Sequence, residues 1–242
     1  MRDEPILALE TSTQRGSVAL GMGSQLLGRR ELSADRRHTP ELIPAIGELL
    51  AQSGVRAADV GVVCFSRGPG SFTGLRVAAT LVRMWQSAVG SRVVAVPTLD
   101  VIAANARTCP ETPSRVAVMV DARAGRVFGA VFVCDETGVF QATADAALCD
   151  ARAWLAELER PCTVLGDAVA LYADELCAAG LTALPEEYAW PDARNVLELG
   201  SRRAAAGILC SPDEIVPAYL RAPECEEVYE QRRAAARQRR GP

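Results

Sequence analysis

Three short segments carry the residue types from which a ligand site could be built. The first, Glu10-Thr11-Ser12-Thr13-Gln14-Arg15-Gly16-Ser17, sets a carboxylate, several hydroxyls and a glycine between two strand-like runs. Two readings of it are open. Hydroxyl and backbone donors could surround a nucleotide's phosphates with Glu10 near a magnesium ion, or the segment is a polar hairpin turn that needs no ligand. The second, Gly68-Pro69-Gly70-Ser71-Phe72-Thr73-Gly74-Leu75-Arg76, lies between a buried strand and a helix, where glycine-rich loops hold phosphate at a helix N-terminus. Its G-x-G-x-x-x-G spacing is one residue too long for the dinucleotide fingerprint, and no G-K-[ST] follows. The ligand-free reading is a strained turn with Ser71 or Thr73 as N-cap. The third, Asp121-Ala122-Arg123-Ala124-Gly125-Arg126, again turns between two strands with an acid at the strand end, and a left-handed Gly125 explains it without a ligand. Glu10, Ser12, Thr13 and Asp121 are the candidates for a vestigial nucleotide site.

Several chemistries are excluded by what the chain lacks. His38 is the sole histidine, so neither a two-histidine metal site nor a Ser-His-Asp triad with a spare ligand can be assembled. Beside the first long helix it reads as a capping or packing residue. All 26 basic residues are arginine, which removes the lysine Schiff base and the phosphate-loop lysine. The eight cysteines stand singly with no C-x-x-C pair. No metal or cofactor is expected, and neither is catalysis by this chain alone.

The elements that must position these segments follow from hydrophobic periodicity. Residues 6–10, 16–22 and 26–32 read as three neighbouring strands, the last two joined at Gly23-Ser24. Leu42, Ile43, Ile46, Leu49 and Leu50 recur at helical spacing over residues 39–52, with Thr39 as N-cap and Pro40 as first residue; Pro44 predicts a kink or a late start. Residues 60–65 then read as a buried strand, 74–89 as a helix, 93–96 as a strand and 98–106 as a helix. In the helix at 74–89 the polar residues Arg76, Thr80, Arg83 and Ser87 form one narrow stripe, so its remaining surface must be covered on more than one side. After a proline-containing linker at 109–114 the pattern restarts, with strands at 115–122 and 126–134, a helix at 151–158, a strand at 163–166 and helices at 169–178 and 195–206. Residues 1–108 are expected as a first domain, 114–223 as a smaller degenerate second, and 224–242 as a charged, flexible tail.

A formal net charge of −4 argues against a surface built to hold a phosphate backbone, so contact with RNA is expected to be local, weak or indirect, even with Arg232, Arg233, Arg237, Arg239 and Arg240 in the tail. The N-terminus lacks a signal peptide's pattern and no apolar run reaches membrane length, which predicts a cytoplasmic protein with no membrane partner.

The opening Ile-Leu-Ala-Leu-Glu-Thr-Ser-Thr, the segment His38-Thr-Pro-Glu-Leu-Ile-Pro44, the glycine-rich loop, the turn Asp121-Ala-Arg-Ala-Gly125 and Pro217-Ala-Tyr-Leu-Arg221 together resemble the TsaB family, formerly called YeaZ. The signature loop of that resemblance is carried by Gly68, Gly70, Ser71, Phe72, Thr73 and Gly74. The resemblance implies an α/β fold of two domains of the actin, Hsp70 and sugar-kinase type, each a mixed sheet flanked by helices. It implies a non-catalytic partner and scaffold of TsaD, which transfers threonylcarbamoyl to the tRNA adenosine next to the anticodon, with TsaE joining through the TsaB–TsaD complex and a homodimer forming when TsaD is absent. TsaD-type proteins hold a metal through a histidine pair, for which this chain has no counterpart. The family's dimer surface falls on the helices at 39–52 and 74–89, which makes Leu42, Ile46, Leu49, Leu50, Arg76, Ala79, Thr80 and Arg83 the interface candidates.

Overall fold

A computed structural model describes residues 4–33 and 39–221. His38 and the arginine-rich tail lie outside the described residues. The first sheet is ordered β3-β2-β1-β4-β5 and comprises β1 (Pro5–Glu10), β2 (Ser17–Met22), β3 (Gln25–Glu31), β4 (Val62–Ser66) and β5 (Arg92–Val96). β1, β2 and β3 run as an antiparallel meander, and β4 and β5 join β1 in parallel. The second sheet repeats this plan. β6 (Arg115–Asp121) takes the central place, β7 (Arg126–Cys134) and β8 (Phe140–Ala142) pair antiparallel on one side, and β10 (Thr163–Leu165) and β11 (Thr182–Ala183) pair in parallel on the other. A further strand, β9 (Ala147–Asp150), pairs with the start of β7. The restart expected from the sequence is thus a second copy of one topology.

Alternation along the strands builds the layers, because successive side chains point to opposite faces. Leu7, Leu9, Val18, Leu20, Val63, Phe65, Val93 and Ala95 face one way, into a core closed by α1 (Thr39–Ser53) and α2 (Phe72–Val89). Ile6, Ala8, Ala19, Val62, Cys64, Val94 and Val96 face the other way, against α6 (Ala193–Ala205). That face is built of small residues because α6 comes close: a Cβ on Gly200 would lie 2.3 Å from the Cys64 sulfur, and one on Gly21 would lie 2.6 Å from a Leu197 methyl. The second sheet is covered by α3 (Thr98–Ala103) on one face, through Leu99, Ile102 and Ala103, and by α4 (Ala151–Glu157) and α5 (Ala173–Ala178) on the other. The stack therefore runs α1/α2, first sheet, α6 and α3, second sheet, α4/α5. This is a two-lobed α/β arrangement, each lobe a mixed sheet flanked by helices. Burying each leucine or phenylalanine side chain of these cores contributes about 1.5–3 kcal/mol relative to leaving it in water.

Several local expectations are revised. α1 runs unbroken from Thr39 through Pro44, with no late start. The expected helix over 169–178 divides into a 3-10 turn at Val169–Tyr172 and the short α5. The helix expected from 195 begins at Ala193, where the Asp192 side chain accepts from the Arg194 amide. After passing through the second lobe the chain returns, at α6, to the sheet where it began. The span 114–223 thus contains an element of the first lobe's core.

Candidate functional site

β1 and β4 are parallel neighbours, so the loops leaving their C-terminal ends emerge side by side. There they interlock. The Ser71 amide donates to the Ser12 carbonyl at 2.6 Å, and the Thr11 hydroxyl donates to the Gly74 carbonyl at 2.8 Å. A Cβ at Gly70 would stand 2.2 Å from the Ser12 carbonyl oxygen, and one at Gly74 only 1.8 Å from that of Thr11. The spacing that fits neither phosphate-loop pattern is therefore what backbone-to-backbone packing of the two loops requires. Ser71 is the N-cap of α2, its hydroxyl accepting from the Gly74 amide; Thr73 lies exposed in the first turn.

Glu10 does not reach the surface. Alternation along β1 turns it the same way as Ile6 and Ala8, and it is fully buried, accepting from the Ser12 amide at 2.6 Å, the Ser12 hydroxyl at 2.5 Å and the Ser66 hydroxyl. Burial pushes its carboxyl up from 4.5 to about 6; the three hydrogen bonds act in the opposite direction, and nearby Asp192 adds to the rise. The carboxylate is enclosed and ties together the ends of β1 and β4, an arrangement that accords with the ligand-free reading of this segment. A folded-state value above the unfolded one means that the folded protein binds more protons. Glu10 therefore costs stability above about pH 6 and ceases to do so as the pH falls below 4.5. The difference is about 2 kcal/mol. Glu10→Gln should remove this pH dependence, so that the variant's unfolding free energy relative to the wild type falls by about 2 kcal/mol from neutral pH to pH 4. A constant gap across that range would show Glu10 to be ionised at no cost.

A cleft of about 640 Å³ opens beside the interlocked loops, with Ser12, Thr13, Gly70, Ser71, Phe72 and Thr73 on one side and Asp121 and Asp167 on the other. Ser12, Thr13 and Asp121 are thus brought together; Glu10 is not among the lining residues. Asp121 Oδ1 accepts from the Arg123 amide at 2.8 Å, and the Asp121 amide donates to Asp167 Oδ1 at 2.8 Å. Burial raises the Asp167 carboxyl above its usual range, against the pull of its backbone hydrogen bonds. Gly125 has the expected left-handed conformation, and Arg123 and Ala124 before it share it, at φ 62° and 53°. Asp167 was not anticipated; its place after β10, mirroring the loop after β4, is the signal that would have found it. Among the described residues no group of three or more His, Cys, Asp and Glu side chains is placed to hold a metal ion.

The interface candidates divide sharply. Leu42, Ile46, Leu49, Leu50 and Ala79 are buried within the chain's own first core and present nothing to a partner. The helical spacing that singled them out marks the face turned to the sheet. Thr80 is exposed, as are Arg76 and Arg83, but those two arginines bond to the chain's own residues 215–219: Arg76 Nε donates to the Tyr219 hydroxyl at 3.0 Å and Arg83 Nε to the Ile215 carbonyl at 2.9 Å. Apolar side chains that do reach solvent are Ile43 on α1, 65 % exposed, and Met84 on α2, 63 % exposed. Trp85, next to Met84, is partly buried, and its indole N–H is shielded from solvent without an acceptor among the described residues. No helix among them is long and apolar enough to cross a membrane.

The model of the family described as TsaD, tRNA N6-adenosine threonylcarbamoyltransferase, matches residues 32–226. The tRNA threonylcarbamoyladenosine biosynthesis protein TsaB of Escherichia coli is 27% identical over 219 residues, which is 89% of this chain and 94% of that protein. The Bacillus subtilis protein of the same name is 26% identical, over 91% of this chain and 96% of that one. The crystal structure of a Pseudomonas aeruginosa protein described as similar to peptidase YEAZ superposes with a TM-score of 0.76 at 27% identity, over 90% of this chain and all of that one.

Proposed function

The chain belongs to the family that this model defines, on its TsaB (YeaZ) branch, and from that premise we propose that it serves tRNA threonylcarbamoyladenosine biosynthesis as a non-catalytic partner and scaffold of TsaD. The observation that carries this reading is the outer face of α1 and α2. Ile43 and Met84 project from it into solvent, apolar side chains that association with a partner would remove from water. Two helices presenting such a face can meet two from TsaD as a four-helix bundle, and in its absence meet a second copy by self-complementary contact. TsaE then joins through the TsaB–TsaD complex, and tRNA is contacted weakly or through TsaD, in the cytoplasm. No substrate chemistry is assigned to this chain. With His38 as its sole histidine it does not fit the histidine-pair metal associated with TsaD, and Glu10 is enclosed rather than available to magnesium.

Met84→Arg and Ile43→Arg test the reading. Both positions are open to solvent, so circular dichroism should remain that of the wild type. A charge placed at the centre of an apolar contact should weaken association by about 2–4 kcal/mol. Sedimentation alone and with TsaD from the same source should therefore show loss of both the homodimer and the heterodimer. Two folded variants that still bind TsaD with wild-type affinity would place the interface elsewhere.

A further inference from the structure

Residues 215–221 tie together places that are far apart in sequence. Ile215 is buried, and its carbonyl accepts from Arg83 in the middle of α2. The Ala218 amide donates to the Arg67 carbonyl at 2.7 Å, and the approach is so close that a Cβ on Gly68 would lie 2.9 Å from the Ala218 carbonyl oxygen. Tyr219 stacks on Phe72 with ring centroids 4.1 Å apart and planes 14° from parallel. The Arg76 guanidinium lies over Phe72 at 4.2 Å while donating to the Tyr219 hydroxyl. Arg221 then donates to the Ala122 carbonyl in the turn between β6 and β7. All but the last of these attachments are to the first lobe, and the last is to the second. The segment passes along the cleft, which it helps to line through Ala218, Tyr219, Leu220 and Arg221.

We propose that residues 215–221 are a clamp that fixes the opening of the cleft, holding the glycine-rich loop of the first lobe to the 121–126 turn of the second. Ordering a stretch of irregular chain costs conformational entropy, so the segment stays in place only through its attachments. One of them is the stacked pair with its overlying arginine. Release at Tyr219 frees Arg221 as well, and the two loops then move independently. The polar stripe of α2 has a use in this arrangement: Arg76 and Arg83 grip the clamp.

Hydrogen exchange on the full chain, without any partner, tests this separately from the role with TsaD. Tyr219→Ala should raise amide exchange about tenfold both in residues 68–76 and in residues 121–126, while β4 and α6 keep wild-type rates. Tyr219→Phe, which keeps the stack, should stay near the wild type. Arg221→Ala should loosen the turn at 121–126 and, through the clamp, the loop at 68–76. The proposal fails if Tyr219→Ala leaves the 121–126 turn at its wild-type rate. Should that variant also loosen β4 and α6, Arg221→Ala decides, because Arg221 bonds directly to the turn at the Ala122 carbonyl. An effect confined to 121–126 would then overturn the clamp.

Discussion

Gly74→Ala should leave the protein largely unfolded under conditions where the wild type is stable. The added Cβ would meet the Thr11 carbonyl oxygen at 1.8 Å, and both partners are backbone, so no change of rotamer relieves the clash. The first turn of α2 must lift away, breaking the Thr11 hydroxyl bond to the Gly74 carbonyl and the Ser71 amide bond to Ser12. Forced overpacking costs about 1–3 kcal/mol and each lost buried bond about 1 more, so a loss of about 3–5 kcal/mol is expected, a large share of the stability of a typical domain. Urea denaturation measures it. Gly47→Ala is the control: Gly47 lies on the exposed face of α1 with nothing within 4 Å of an added Cβ, and helix propensity should stabilise that variant by about 0.5–1 kcal/mol. Equal midpoints for Gly74→Ala and the wild type would mean that the two loops do not interlock as described.

The glycine-rich loop was legible in the sequence as a special backbone, but not the reason for it. Local spacing shows where glycines fall; it does not show that the Ser12 and Thr11 carbonyls occupy the space a side chain would need. Glu10 could have been placed correctly. Once residues 6–10 are a strand, Ile6, Ala8 and Glu10 share a face, and that face is covered by α6. The strands of the first sheet were legible because runs such as Ile6-Leu7-Ala8-Leu9 are buried on both faces. β8, β9 and β11 were not, because strands of two to four partly exposed residues carry too little pattern. Pro217-Ala-Tyr-Leu-Arg221 stood out as a motif, yet nothing near it in the chain announces that Tyr219 stacks on Phe72.

Ala79 shows how the same apolar pattern supports opposite conclusions. Read from the sequence, an apolar helix face can be a surface awaiting a partner; in the structure Ala79 packs beside Ala78 and Val82 in the core beneath α2. Ala79→Arg should therefore destroy the fold rather than the assembly. An unpaired buried guanidinium costs about 3–5 kcal/mol, and its volume must also be accommodated in a closed core. Loss of far-UV circular dichroism and of soluble yield is the expected result. A folded, monomeric Ala79→Arg protein would instead return Ala79 to the surface and restore it as an interface residue. Met84→Arg, on the opposite side of the same helix, should behave in the reverse manner, folded but unable to associate.

The return of α6 to the first sheet has a consequence for synthesis on the ribosome. By the time β5 has emerged, all five strands of that sheet exist, yet one face of it, with Ile6, Ala8, Val62, Cys64 and Val94, has no cover. The roughly 100 residues that separate β5 from α6 take about 5–20 s to translate. Throughout that interval the nascent lobe carries a wide apolar surface, and its own completing helix is the last α-helix to be made among the described residues. The second lobe, whose sheet and outer helices are contiguous in the chain, can close first. A chain that begins with its first lobe thus finishes folding there, and a chaperone that shields apolar sheet surface should associate with nascent chains that end between residues 97 and 192, and leave once α6 has docked.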